Sequence, residues 1–234
     1  MIQKYQIIQN CDLTKLGNKY NTDKTWHKKN TEIYSEIFKH FSLNRDDKMN
    51  ILELGISNGN SHLMWHEYFK NSNIIGLDLW DVSTYYEHRF IDGKEHYKSF
   101  EENGEKIDKL SHIKRLLSEN NRLDFYIGEQ ADVKVLAKIV DKYKSFDFIM
   151  DDCSHKDQDI KDSFNYLFPY LKKGGIYIIE DLGTGTPNVV NAIASYRDKL
   201  TYFNHFDDIK FANLIFSKDY VDVDPKFSFA VIGK

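Results

Sequence analysis

The chain has 234 residues, 41% hydrophobic and 15% aromatic, which suits a globular domain with a sizeable core. A formal net charge of -4 argues against nucleic acid as the main partner. There is no apolar run of about 18 residues to span a membrane, and the N-terminus lacks the apolar core of a secretory signal. Cys11 and Cys153 are too few for a disulfide framework or a zinc site, so a soluble cytoplasmic protein of a reducing compartment is expected.

Apolar residues at helical spacing predict a helix over 31–41, with Thr31 placed to cap its start. Short apolar runs and helical patterns then alternate. Strands are expected at 50–55, 74–79, 123–127, 146–150 and 176–179, and helices at 61–70, 132–143 and 159–171. The doublet Gly174-Gly175 suits a helix C-cap running into a strand. Beyond it, 189–200 reads as a helix, and 211–216 and 227–232 as two last strands turned at 222–226. This alternation predicts an α/β fold, a mostly parallel seven-stranded sheet with helices on both faces. Residues 80–122 exceed the usual crossover length and read as an insertion. It is either a lid, substrate wall or oligomer contact, or a charged excursion facing water. The expected division is an N-terminal helical segment, 1–45, followed by a core over 46–234.

A strand that ends in Glu53-Leu-Gly-Ile-Ser-Asn-Gly59 and opens a helix is a nucleotide-type loop, in which Gly55 and Gly59 allow close ligand approach. Ser57 takes the middle position of the dinucleotide fingerprint and Asn60 the third, so a ligand without phosphates fits better. Asp78, at the end of the second strand, is placed to accept hydrogen bonds from ribose hydroxyls. After the third strand, Gln130 and Asp132 would face an adenine.

The fourth strand ends in Asp151-Asp-Cys-Ser-His155 and the fifth in Glu180-Asp181, and both ends belong to the ligand crevice of an open sheet. Asp152, Glu180 and Asp181 make a hard, oxygen-only set that favours magnesium or a similar divalent ion. His155, three residues past Asp152, is suited to act as general base. Asp151 either serves the cofactor or caps the following helix. His62 and His66, at i and i+4, share one helix face and are packing or solvated.

With these residues in view, the chain resembles the macrolide-sugar O-methyltransferases of the mycinamicin and macrocin (tylosin) type. The matching pieces are Gly17-Asn-Lys-Tyr-Asn-Thr-Asp-Lys24 with His27, Leu52-Glu-Leu-Gly-Ile-Ser-Asn-Gly59, Asp151-Asp-Cys-Ser-His155 and Leu171-Lys-Lys-Gly-Gly-Ile-Tyr-Ile-Ile-Glu-Asp181. The resemblance implies a Rossmann-like class I methyltransferase sheet with a final antiparallel strand, S-adenosyl-L-methionine as donor, magnesium dependence and a homo-oligomer. It puts the metal on Asp152, Glu180 and Asp181 and the base on His155, and it suggests that Asp23 and Lys24 fold over the cofactor site. Capping a helix is the other role for Asp23. Cys153 stands where the family usually has glycine and is expected to be a tolerated buried residue, not a nucleophile.

The expected reaction is therefore metal-dependent methyl transfer to a hydroxyl of a sugar, whether free, nucleotide-linked or on a glycan or natural product. Abundant Lys, Asn and Ile with three prolines suit an AT-rich genome and polysaccharide biosynthesis. The alternatives are a catechol-type small-molecule O-methyltransferase and a non-catalytic cofactor-binding partner.

Overall fold

The structure, a computed structural model, describes residues 11–26, 30–79, 81, 99–119, 122–182, 186–194, 203, 206–215 and 228–234. His27, residues 195–200 and the expected turn at 222–226 lie outside them. The chain divides into two compact units, one of Met1–Lys48, Ile56–Ile74 and Trp80–Asp124, the other of Met49–Gly55, Ile75–Leu79 and Phe125–Lys234. Among the described residues no helix is long and apolar enough to cross a membrane.

The first unit is built from short helices and a hairpin. They are α1 (Asp12–Tyr20), α2 (Asp23–Trp26), α3 (Asn30–His40) and α4 (Asn60–Tyr68), then β3 (Ser99–Glu102), β4 (Glu105–Asp108) and α5 (Lys109–Glu119). Its core is aromatic: Phe38 of α3 meets Trp65 of α4 edge-on and Phe69 likewise, at centroid distances of 6.0 and 5.3 Å. Helix α1 ends at Asn21, whose left-handed backbone (φ 56°) lets its N–H reach back to the last turn. The part of the insertion that is described is no simple solvated excursion, since Phe100, Lys109 and Ile113 are buried.

The second unit carries the sheet. Its strands are β1 (Asn50–Leu54), β2 (Asn73–Asp78), β5 (Leu123–Ile127), β6 (Phe146–Asp151), β7 (Leu171–Leu182), β8 (Phe211–Ile215) and β9 (Ser228–Gly233), in the order β5-β2-β1-β6-β7-β9-β8. Pairings β1–β6 and β6–β7 are parallel, while β9 runs antiparallel to both β7 and β8. The seven-stranded sheet with one late antiparallel strand is as expected. Central strands such as Phe146–Asp151 are near-continuous apolar runs because parallel strands are covered on both faces.

Helices α6 (Val133–Tyr143), α7 (Asp157–Leu167) and α8 (Pro187–Ala194) belong to this unit. Val135, Leu136, Ile139 and Val140 form the apolar stripe of α6, and together with Ile160, Phe164 and Leu167 of α7 they join the sheet in one core cluster.

One local expectation is corrected. Helix α7 stops at Leu167, and Phe168–Tyr170 closes as a 3-10 turn around Pro169, which has no N–H to continue the ladder. The Gly174-Gly175 doublet is therefore not a helix C-cap. It lies inside β7, where Gly174 takes φ 81° and its N–H bonds the Lys234 carbonyl at 2.8 Å.

Candidate active site

The C-terminal strand ends are tied to one another by backbone bonds that carry the ladder past the strands. The Gly55 N–H donates to the Leu77 carbonyl (2.8 Å), Gly128 N–H to Asp78 (2.9 Å) and Asp152 N–H to Leu54 (2.9 Å). Gly55 is needed at this crossing: it holds φ 82°, and a Cβ there would collide with the Asp152 carbonyl oxygen. Ser57 (φ 50°) and Gly59 (φ 77°) continue the left-handed turns of the loop. Glu53 is fully buried within β1, and Asp78 is partly exposed at the end of β2.

Three residues at these strand ends come together. The His155 Nε2 lies 3.8 Å from the Asp152 Oδ1 and 3.8 Å from the Asp181 Oδ2. One ligand atom from each of the three lies within 4.8 Å of the others, a spacing at which they could hold a metal ion. All three are partly exposed. His155 (φ 54°) and Asp181 (φ 53°) both sit in the left-handed region, which side chains other than glycine seldom adopt, and such conformations cluster at active sites. At Asp181 the distortion coincides with a register shift between Ile179 and Leu182.

Two members of the metal set expected from sequence lie in this group. Asp152 and Asp181 meet, with His155 between them, whereas Glu180 is buried and is not part of the three-residue group. Residues adjacent in a strand have alternating faces, so a consecutive Glu-Asp pair does not by itself put both carboxylates on one ligand.

Gln130 and Asp132 follow β5, and Asp151 ends β6. Asp132 is the N-cap of α6, its carboxylate accepting from the Lys134 N–H at 2.9 Å. Asp151 is buried and caps no helix; Lys156 is the N-cap residue of α7. The Asp151 carboxylate accepts from the Gln130 Nε2 at 2.8 and 2.6 Å, from Ser163 Oγ at 3.1 Å and from Tyr177 OH at 3.3 Å. Burial outweighs these bonds and raises its pKa to about 7. Gln130 is buried as well, and its Oε1 accepts from the Ser154 N–H at 3.1 Å. A serine on the stripe Ile160, Ser163, Phe164, Leu167 is a legible irregularity of the sequence.

Cys153 packs partly against the core, and burial, with Asp151, Asp78 and Asp152 nearby, pushes its thiol well above the ordinary range. That shift favours the thiol over the thiolate. In the other unit, Lys24 is buried, Asp23 is the first residue of α2, and the Lys24 N–H donates to Thr22 Oγ1 at 3.5 Å. His62 and His66 are both buried, so the packing alternative holds for this pair.

No family model matches the chain. Among curated proteins, demethylmacrocin O-methyltransferase of Streptomyces fradiae is 30% identical over 182 residues, covering 74% of this chain and 37% of that enzyme. Mycinamicin VI 2''-O-methyltransferase of Micromonospora griseorubida is 28% identical over 184 residues, 74% of this chain and 36% of that enzyme. The chain thus spans little more than a third of the length of these relatives. Among solved structures, the mycinamycin-pathway methyltransferase MycE in complex with Mg, SAH and mycinamycin VI matches with a TM-score of 0.63 at 23% identity, over 97% of this chain and 55% of that one. A second MycE crystal form with Mg and SAH gives 0.64 at 24% identity, over 96% and 55%. At such identity the structural likeness establishes the fold, which is that of a class I, Rossmann-like methyltransferase.

Proposed function

We propose that this chain, a sequence relative of the macrocin- and mycinamicin-type sugar O-methyltransferases, transfers the methyl group of S-adenosylmethionine to a hydroxyl of a sugar with the help of Mg2+. The observation that carries the reading is the Asp152, His155 and Asp181 group, with an imidazole nitrogen 3.8 Å from each of two carboxylates at adjoining strand ends.

The donor chemistry of the group fits the metal. Two carboxylate oxygens, partly exposed, suit a hard divalent ion, and Asp152 and Asp181 would hold it. Glu180 stays in the set only through the motif. When bound, Mg2+ supplies Lewis-acid polarisation that makes a hydroxyl more acidic.

The remaining work belongs to the chain. His155 Nε2 takes the hydroxyl proton, the freed oxygen pair forms the bond to the methyl carbon, and the carbon–sulfur bond breaks to leave neutral S-adenosylhomocysteine. In-line displacement depends chiefly on positioning, which the hydrogen-bonded strand ends supply. For the donor, the motifs assign Glu53, Gly55, Ser57, Gly59 and Asp78, with Asp23 and Lys24 from the N-terminal segment. The reading extends to a cytoplasmic homo-oligomer acting on a glycan or glycoside precursor and not on nucleic acid.

A methyl-transfer screen with labelled S-adenosylmethionine against free, nucleotide-linked and glycoside-borne sugars tests the proposal, with catechols as the competing acceptor class. His155→Ala should lower turnover by about 10²- to 10⁴-fold, the usual contribution of a general base. Donor affinity by calorimetry should be unchanged. Full turnover in that variant would remove His155 from the chemistry, and absence of donor binding by the unaltered chain would overturn the reading.

A further inference from the structure

Gln130 follows β5 in a position where a side chain can meet an adenine, yet its amide is spent within the protein. We propose that Gln130 is a positioning residue for the turn that carries Asp152 and His155, and not a ligand of the donor. The inference rests on the methyltransferase reading above.

The turn is held at two points. The Asp152 N–H is bonded to Leu54 O in β1, and the Ser154 N–H is bonded to Gln130 Oε1. His155 comes next in the chain with φ 54°, a conformation that persists only where its surroundings over-determine it. Without the Gln130 acceptor, the Ser154 N–H would lose its partner one residue before the proposed base.

The acid beneath sets which end of the amide faces the turn. Gln130 Nε2 donates to both Asp151 oxygens and to Ser163 Oγ at 3.0 Å. Flipped by 180°, the amide would point its oxygen at a carboxylate and its NH2 at the Ser154 N–H, opposing like with like at both ends. Asp151 therefore selects the working orientation of Gln130. Its own place is kept by Ser163 and Tyr177. Burial of Gln130 also leaves little of its edge for a base.

Three variants decide the matter: Gln130→Met, Gln130→Glu, and Gln130→Glu with Asp151→Asn. Turnover at saturating donor, donor dissociation constant by calorimetry, and hydrogen exchange of the Ser154 amide by NMR are measured on each. Gln130→Met should speed Ser154 exchange and lower kcat by about ten- to a hundred-fold, the scale of a misplaced catalytic group, with donor affinity held within about three-fold. Gln130→Glu alone sets an acid against an acid and, assayed above about pH 8 where Asp151 is ionised in the unaltered chain, should be worse. Adding Asp151→Asn restores a donor–acceptor pair of reversed polarity, while the introduced carboxylate still accepts from the Ser154 N–H, so most of that loss in kcat should return.

Donor affinity weakened about ten-fold or more at unchanged kcat would overturn the proposal in favour of an adenine contact. Unchanged kcat together with unchanged Ser154 exchange would overturn it outright. If Gln130→Met fails to fold, a double variant no better than Gln130→Glu overturns it as well. Should the unaltered chain bind no donor and transfer no methyl group, the methyltransferase reading falls, and Ser154 exchange still decides whether Gln130 anchors the turn.

Discussion

His66 is a buried ring whose protonation bears on acid stability. It lies on α4, and its Nε2 is 3.0 Å from an Arg122 nitrogen that can only donate, so the ring must accept there and stay neutral. Arg122 also donates to the carbonyls of Phe69 and Ser72, which fixes it at the end of the helix. Burial first, and the Arg122 charge second, lower the His66 pKa to about 4. A depressed pKa means that the folded state binds the proton less readily than the unfolded chain, whose histidine titrates near roughly 6.5. The stabilising contribution is therefore complete above about pH 6.5 and is lost as pH falls through about 4. Its size is on the order of 2 kcal/mol. His66→Gln keeps an acceptor that does not titrate. Urea unfolding between pH 4 and 7 should show a flatter acid limb for this variant than for the unaltered chain; parallel limbs would mean that His66 is not the group responsible.

At the scale of elements, Gly17 decides how closely α1 approaches its neighbours. A Cβ at this position would run into Thr25 Cγ2 and lie 3.2 Å from both Met64 Sδ of α4 and Thr22 Cγ2. Thr25 cannot easily turn away, because it is buried and its hydroxyl donates to Thr22 O at 2.8 Å. Gly17→Ala gains about 1 kcal/mol of helix propensity, but overpacking costs about 1–3 kcal/mol, so a net loss of stability is expected. A midpoint in urea at or above that of the unaltered chain would count against this packing. The hairpin β3–β4 shows where periodicity fails as a guide. Its strands, Ser-Phe-Glu-Glu and Glu-Lys-Ile-Asp, carry too many charges for an apolar alternation to stand out. The turn residues Asn103 and Gly104, at φ 53° and 81°, are the signal that finds it, since a two-residue hairpin turn of this type needs positive φ at both. Lys109, at the start of α5, was hidden for a different reason. A lysine in a charged stretch reads as solvated, but here it is buried and donates to Tyr20 O at 2.7 Å and Asn60 Oδ1 at 2.9 Å.

For the molecule as a whole, the sheet was legible because buried parallel strands and amphipathic helices write distinct periods into the chain, and the strand ends followed from those periods. The burial of Asp151 and its bonds to Gln130 were not legible. They depend on which way a side chain leaves a strand end, and at β7 a register shift alters that locally. This difference has a thermodynamic consequence. The apolar core of the second unit is built from strand and helix interiors, whereas Asp152, His155 and Asp181 are partly exposed at its margin. Folding should therefore not require the metal, and ligand and metal effects should separate. On the methyltransferase reading proposed above, S-adenosylhomocysteine at about 100 times its dissociation constant should stabilise the chain by about 2.7 kcal/mol, as a ligand that binds only the folded state does. In a protein of this size each kcal/mol moves the Tm by roughly 2–4 °C, so an upward shift of about 5–10 °C is expected. On the same reading, adding a chelator should abolish methyl transfer while leaving that shift and the Tm of the unliganded chain nearly unchanged. Collapse of the unliganded Tm on chelation would instead make the metal a structural one and place it outside the three-residue group.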